Sequence, residues 1–154
     1  MTIDPLLRFL HLASVAIWVG GMFFAYVCLR PAAVEVLDGP PRLRLWRGVF
    51  ARFFVWVWAA VIAIPLSGLT MIARTGFTAA PLNWHLMLAS GSVMIAIYLY
   101  LHAVPYAALR HAVDAGDWKA GAAALGRIRQ LVGLNLALGF VTIAIATLGH
   151  WLVH

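Results

Sequence analysis

The sequence predicts an all-α integral membrane protein, a four-helix up-down bundle with both termini on the outer, periplasmic side. Three observations predict it. Of the 154 residues, 64% are hydrophobic and only 10% are charged, whereas a soluble domain is about half apolar and about a quarter charged. The mean hydropathy of +0.94 makes lipid the expected solvent. The apolar residues also fall into four continuous runs, each near the roughly 20 residues that carry a helix across a hydrocarbon core. These features exclude a soluble enzyme, a disordered tail and a disulfide scaffold. The lone Cys28 has no partner for an intramolecular bridge.

The runs are residues 6–29, 49–72, 82–109 and 131–153, within a single domain of residues 1–154. They are continuous rather than alternating, which argues against the strands of a barrel. Asp4-Pro5 supplies an N-cap and a first-turn proline for the first helix. That run is too long for a cleaved signal peptide and has no basic start. Gly39-Pro40-Pro41 makes a turn ahead of the second helix, and Pro65 kinks it, with Ser67 and Thr70 near enough to satisfy freed backbone groups. The Ala/Gly-rich stretch before the fourth run reads equally as a helical extension or an interfacial segment. Short connections make consecutive helices antiparallel neighbours. Gly20, Gly21, Ala25, Gly91 and Gly139 are positions where helices in lipid can approach closely.

Charge sets the expected direction. The net charge of +6 suggests nucleic acid until its residues are located. Arg30, Arg42, Arg44 and Arg47 fall in the first connection and Arg110, Lys119, Arg127 and Arg129 in the third, while only Arg8 and Arg74 lie on the other side. Basic loops of a membrane protein face the cytoplasm. The expectation is therefore a multi-pass protein of a bacterial-type inner membrane, with the lipid bilayer as partner and no nucleic acid.

No Asp, Glu or Lys lies inside the runs, so histidine carries the candidate chemistry. At 1.5 Å rise per residue, His11 lies about 8 Å below the outer end of helix 1. His85 starts helix 3 and His150 ends helix 4 on the same side, so three helices bring an imidazole to a similar depth. Imidazole ligates Fe, Cu and Zn, and bundle cores commonly hold cofactors. The expected metal set is His11, His85 and His150, converging on a metal or haem. His154 lies a turn beyond His150, while His102, about 25 Å from His85 along helix 3, and His111 read as interfacial. Arg8, three positions before His11, and Arg74 are candidate partners for carboxylates of a bound group. Trp18 shares the His11 face, as a packing residue or against a cofactor plane. The methionines form no ligand cluster and read as packing residues.

Phe9-Leu10-His11-Leu12-Ala13, followed by Trp18-Val19-Gly20-Gly21-Met22-Phe23, resembles the first helix of the CopD (copper-resistance protein D) superfamily. That superfamily includes the HemJ-type protoporphyrinogen oxidases, four-helix membrane proteins reported to bind haem b. Trp84-His85-Leu86-Met87-Leu88 is similar to the HemJ pattern in helix 3. The resemblance implies haem b with His11 and His85 at ligand positions. Met87 stands where HemJ proteins carry a functional Lys, which argues against protoporphyrinogen oxidation and offers a thioether as an axial ligand. The functional expectation is a membrane haem-b protein transferring electrons near the outer face, with quinol or another redox partner and with a homodimer permitted. Copper transport or handling of the CopD type is the alternative.

Overall fold

The computed structural model describes residues 4–149, and His150 and His154 lie outside them. Among the described residues the regular structure is all helical, with four helices long and apolar enough to cross a membrane. They are α1 (Pro5–Val36), α2 (Gly39–Thr75), α3 (Leu82–Ala115) and α4 (Trp118–Leu148). Four of these ends have a local cause in the sequence. Asp4 caps α1 by accepting from the Leu6 amide at 2.9 Å, and Asp117 caps α4 by accepting from the Ala120 amide at 2.9 Å. Gly76 at φ 93° and Gly116 at φ 72° end α2 and α3, in the region where a side chain is strained.

The helices run further than the apolar runs. The stretches expected as basic connections are mostly helical, leaving only Leu37-Asp38 between α1 and α2 and Gly116-Asp117 between α3 and α4. Arginine is a good helix former, so its charge ends the hydrophobic run without ending the helix. Leu43, Trp46 and Phe50 bury one face of the α2 extension, and Gly121, Ala124 and Ile128 one face of α4. The third connection thus resolves as a helical extension.

Two π-helical turns interrupt the bundle, at Phe24–Leu29 in α1 and His102–Tyr106 in α3. Proline explains both. Pro31 and Pro105 lack the amide that the carbonyl four residues earlier would take, and the ring crowds that carbonyl. The chain widens locally to accommodate them.

Helix α1 packs mainly on α2 and α3 mainly on α4, with thinner contacts between α1 and α4 and between α2 and α3. The arrangement is the expected up-down bundle. Its core is aromatic toward the basic end. Trp46, Phe50 and Phe54 stack along α2 with centroids 5.2 and 5.3 Å apart, and Tyr98 and Tyr106 of α3 meet Phe54 edge-on at 5.5 and 4.8 Å. Small residues set the spacing at some of the expected positions. A Cβ at Gly21 would strike Phe53, and one at Gly139 would lie 3.0 Å from Val19, whereas Gly20 and Gly91 face open space. Leu6, Phe9, Leu12, Ile62 and Leu66 point outward, as a lipid-facing surface requires. Asp4, Arg74, Asn83 and Gly149 gather at one end of the bundle, here called the terminal end, opposite the basic end.

Candidate functional site at the terminal end

The terminal end of the α1–α2 pair holds two polar contacts in one antiparallel register. Outermost, Arg74 reaches Asp4 at 3.6 Å. Two turns inward, His11 Nδ1 lies 2.9 Å from Ser67 Oγ. Ser67 is 3% exposed, and its hydroxyl donates to the Ala63 carbonyl at 2.6 Å. That distance commits the only hydroxyl proton to the backbone. The remaining role for Ser67 Oγ toward His11 is acceptor, so Nδ1 carries the proton and Nε2 keeps its lone pair. A metal-ligating histidine typically donates its other ring N–H in this way, which fixes tautomer and ring orientation.

Local sequence builds the contact. A Cβ at Gly68 would lie 3.4 Å from His11 Cε1, so glycine lets the imidazole sit against α2. Met71 lies four residues after Ser67 and three before Arg74 on α2, on the face that meets α1. It is partly buried. Its register on α2 thus falls between those of Ser67 and Arg74, a placement that the absence of a methionine cluster in the sequence does not reveal. Ser67 had a sequence signal in Pro65, but one that pointed to backbone satisfaction only.

The other expected ligands are arranged differently. His85 Nε2 lies 3.1 Å from the Phe77 carbonyl, and Nδ1 lies 3.3 Å from the Pro81 carbonyl. Its ring meets Phe77 edge-on at 4.7 Å. Both nitrogens lie near backbone acceptors, and the single N–H of a neutral imidazole donates to one of them, which ties the ring to the 76–81 connection. Among the described residues no three His, Cys, Asp or Glu side chains gather into a metal-binding group. Arg8 is exposed, and Arg74 is engaged by Asp4. Met87 is partly buried, and its carbonyl accepts from Ser90 at 3.2 Å. Trp18 is 3% exposed and meets Tyr98 edge-on at 6.2 Å, which makes it a core residue. His150, the third expected ligand, lies outside the described residues.

His102 sits in a setting its sequence position does not suggest. It lies in the π-turn of α3, with Phe54, Trp58, Tyr98 and Tyr106 centroids 5.5–5.9 Å away. The spacing of Phe54 and Trp58 on one face of α2 is the sequence trace of this aromatic surround.

The family model described as copper resistance protein D, CopD, matches residues 47–148, well over half of the chain. The match covers α3, α4 and most of α2, including Ser67, Met71, His85 and His102, and begins after α1. No curated protein and no solved structure matches significantly. With its four membrane-length helices, the chain is a multi-pass membrane protein of the CopD, copper resistance protein D, family.

Proposed function

We propose that the protein handles copper ions as cargo at the terminal end of the bundle, with His11 as the nitrogen ligand. The observation that supports this most is the His11–Ser67 contact, which leaves an oriented imidazole whose Nε2 has no hydrogen-bond partner among the described residues. Ser67 is a positioning residue, and Met71 supplies a soft sulfur of the kind that Cu(I) prefers. The basic end opposite is placed in the cytoplasm by the positive-inside rule, which puts the copper site on the outer face.

Haem b fits these residues less well. A bundle haem needs a slot between helices and one or two axial groups. Among the described residues, the two cavities described below are lined by neither His11 nor His85, and the His85 ring is held against the Phe77 and Pro81 carbonyls. Electron transfer to quinol and homodimer formation are not needed for the copper reading.

The test is Cu(I) competition against bicinchoninate on purified protein, with an absorption spectrum and pyridine haemochromogen assay on the same sample. Wild type is expected to bind Cu(I) and to show no stoichiometric Soret band. Removal of an outer partner of a metal ligand typically costs 10–100-fold in affinity, so Ser67→Ala is expected to weaken Cu(I) by about ten-fold and His11→Ala by more. Equal affinity in wild type and His11→Ala would overturn the copper site. One haem per chain, lost in His11→Ala, would replace it with the haem reading.

A further inference from the structure

A cavity of about 240 Å³ lies at the basic end of the bundle, between α1, α2 and α4. Its wall is apolar and aromatic, with Leu43, Trp46, Phe50, Ile128 and Val132 facing inward. Arg30, Arg42 and Arg129 also line it, one from each helix. Among the described residues none of the three pairs with a carboxylate; the ion pairs are Arg47–Asp114 and Arg74–Asp4. Arg30 rests over the Tyr26 ring at 5.4 Å, and Arg42 makes a long 3.5 Å contact to the Leu37 carbonyl. Their guanidinium donors are largely unspent. No His, Met or Cys lines the cavity, so it has no metal-ligand character.

We propose that this cavity binds an anionic phospholipid of the surrounding leaflet, its phosphate held by Arg30, Arg42 and Arg129 and an acyl segment laid against Trp46, Phe50 and Val132. Two features carry the assignment together. Three unpaired guanidinium groups on converging helices match a phosphate, which arginine can hold through paired hydrogen bonds. The apolar wall matches a chain, which a free inorganic anion lacks. Basic pockets between helices at a membrane surface are known to take such headgroups. Trp46 and Trp118 in the lining place the cavity at the depth where aromatic side chains meet the headgroup region. The site is independent of what the terminal end binds.

Native mass spectrometry of the full chain in mild detergent tests the proposal, with three added probes. These are dioleoyl phosphatidylglycerol, dioleoyl phosphatidylcholine and inorganic phosphate. The expected result is a one-to-one phosphatidylglycerol adduct, with little adduct from the other two. Two variants address the cavity separately. In Arg42→Gln/Arg129→Gln, two of the three basic groups are lost and the adduct is expected to weaken about thirty-fold. Gly126 lines the cavity, and a Cβ there meets nothing within 4 Å. Gly126→Phe is therefore expected to fill the space and abolish the adduct with every charge retained. Equal binding of phosphatidylcholine, or equal binding of phosphate alone, would overturn the lipid assignment. So would an undiminished adduct in the double arginine variant, which keeps the test decisive where Gly126→Phe does not fold.

Discussion

One methyl group added at Gly139 tests whether α1 is held against the rest of the bundle as described. A Cβ there would lie 3.0 and 3.3 Å from the two Val19 methyls and 3.4 Å from Met94 Cε. Carbon atoms pack best at about 3.5–4.0 Å, so the Val19 contacts are short by up to about half an ångström. Met94 can swing its terminal methyl aside, but valine on a helix has essentially one rotamer. The strain must then be relieved by moving α1 away from α4. Overpacking of this kind costs about 1–3 kcal/mol, and with one methyl and one stiff neighbour the expected loss is about 1–2 kcal/mol. Gly20 supplies the control, because its Cβ would meet nothing within 4 Å, and Gly20→Ala should leave stability nearly unchanged. The assay is reversible unfolding in mixed micelles, followed by circular dichroism across a denaturing-detergent titration. Val19→Ala in the Gly139→Ala background should recover most of the loss, because it removes the two methyls concerned. Equal stability of Gly139→Ala and Gly20→Ala would refute this packing of α1 against α4.

Three further outcomes are expected. Asn135 is 1% exposed, donates to the Met94 carbonyl at 3.3 Å and leaves Oδ1 without a partner among the described residues. An unmade buried hydrogen bond costs about 1–3 kcal/mol and a bond between helices in lipid returns only about 0.6 kcal/mol. Asn135→Leu is therefore expected to raise unfolding stability, and a drop would mean that Oδ1 holds a water in the adjoining cavity. Asp4→Asn keeps an N-capping side chain while removing the charge opposite Arg74. With both partners about half exposed, the loss should stay below about 1 kcal/mol in the same titration, and a larger effect would show that the pair is desolvated. His85→Ala should leave Cu(I) affinity unchanged in the bicinchoninate competition, and a loss matching that of His11→Ala would place both imidazoles on one ion.

The four helices were legible in the sequence because burial in lipid demands long apolar runs, and these dominate the composition. Apart from the Asp4-Pro5 start of α1, their ends were not, because hydropathy marks where lipid stops, whereas helix ends depend on caps and packing. Arg42, Arg44 and Arg47 interrupt the apolar run, yet Leu43, Trp46 and Phe50 continue one buried face through them. Glycine was legible as a small residue but not as a contact. Gly21 and Gly139 touch neighbouring helices and Gly20 and Gly91 do not, while Gly133, beside the Tyr26 ring, carried no separate signal. The same limit governs the histidines. Rise per residue gives the depth of His11 and His85, but convergence also depends on rotation about each helix axis. That rotation is set by side chains on other helices, and it turns His11 onto Ser67 and His85 onto the Phe77–Pro81 segment.

The positions of these groups also constrain how copper would be handled. Between the terminal end and the basic end the axis of the bundle is filled by Trp18 against Tyr98 and Tyr98 against Phe54. The space left beside them is about 20 Å³, lined by Met22 and Asn135 among others, which is room for about one water molecule. An ion held by His11 therefore has no open route inward in this conformation. Aromatic side chains this closely packed move only with their helices, so passage would require α1 or α3 to shift. Both helices carry a proline-dependent π-turn on the basic side of this aromatic block, where the regular hydrogen-bond ladder is already interrupted. The arrangement thus suits capture of copper at the terminal end, with any onward transfer tied to movement of those two helices. A static pore is inconsistent with it, and measurable Cu(I) flux in protein whose α1 and α3 are cross-linked would contradict this conclusion.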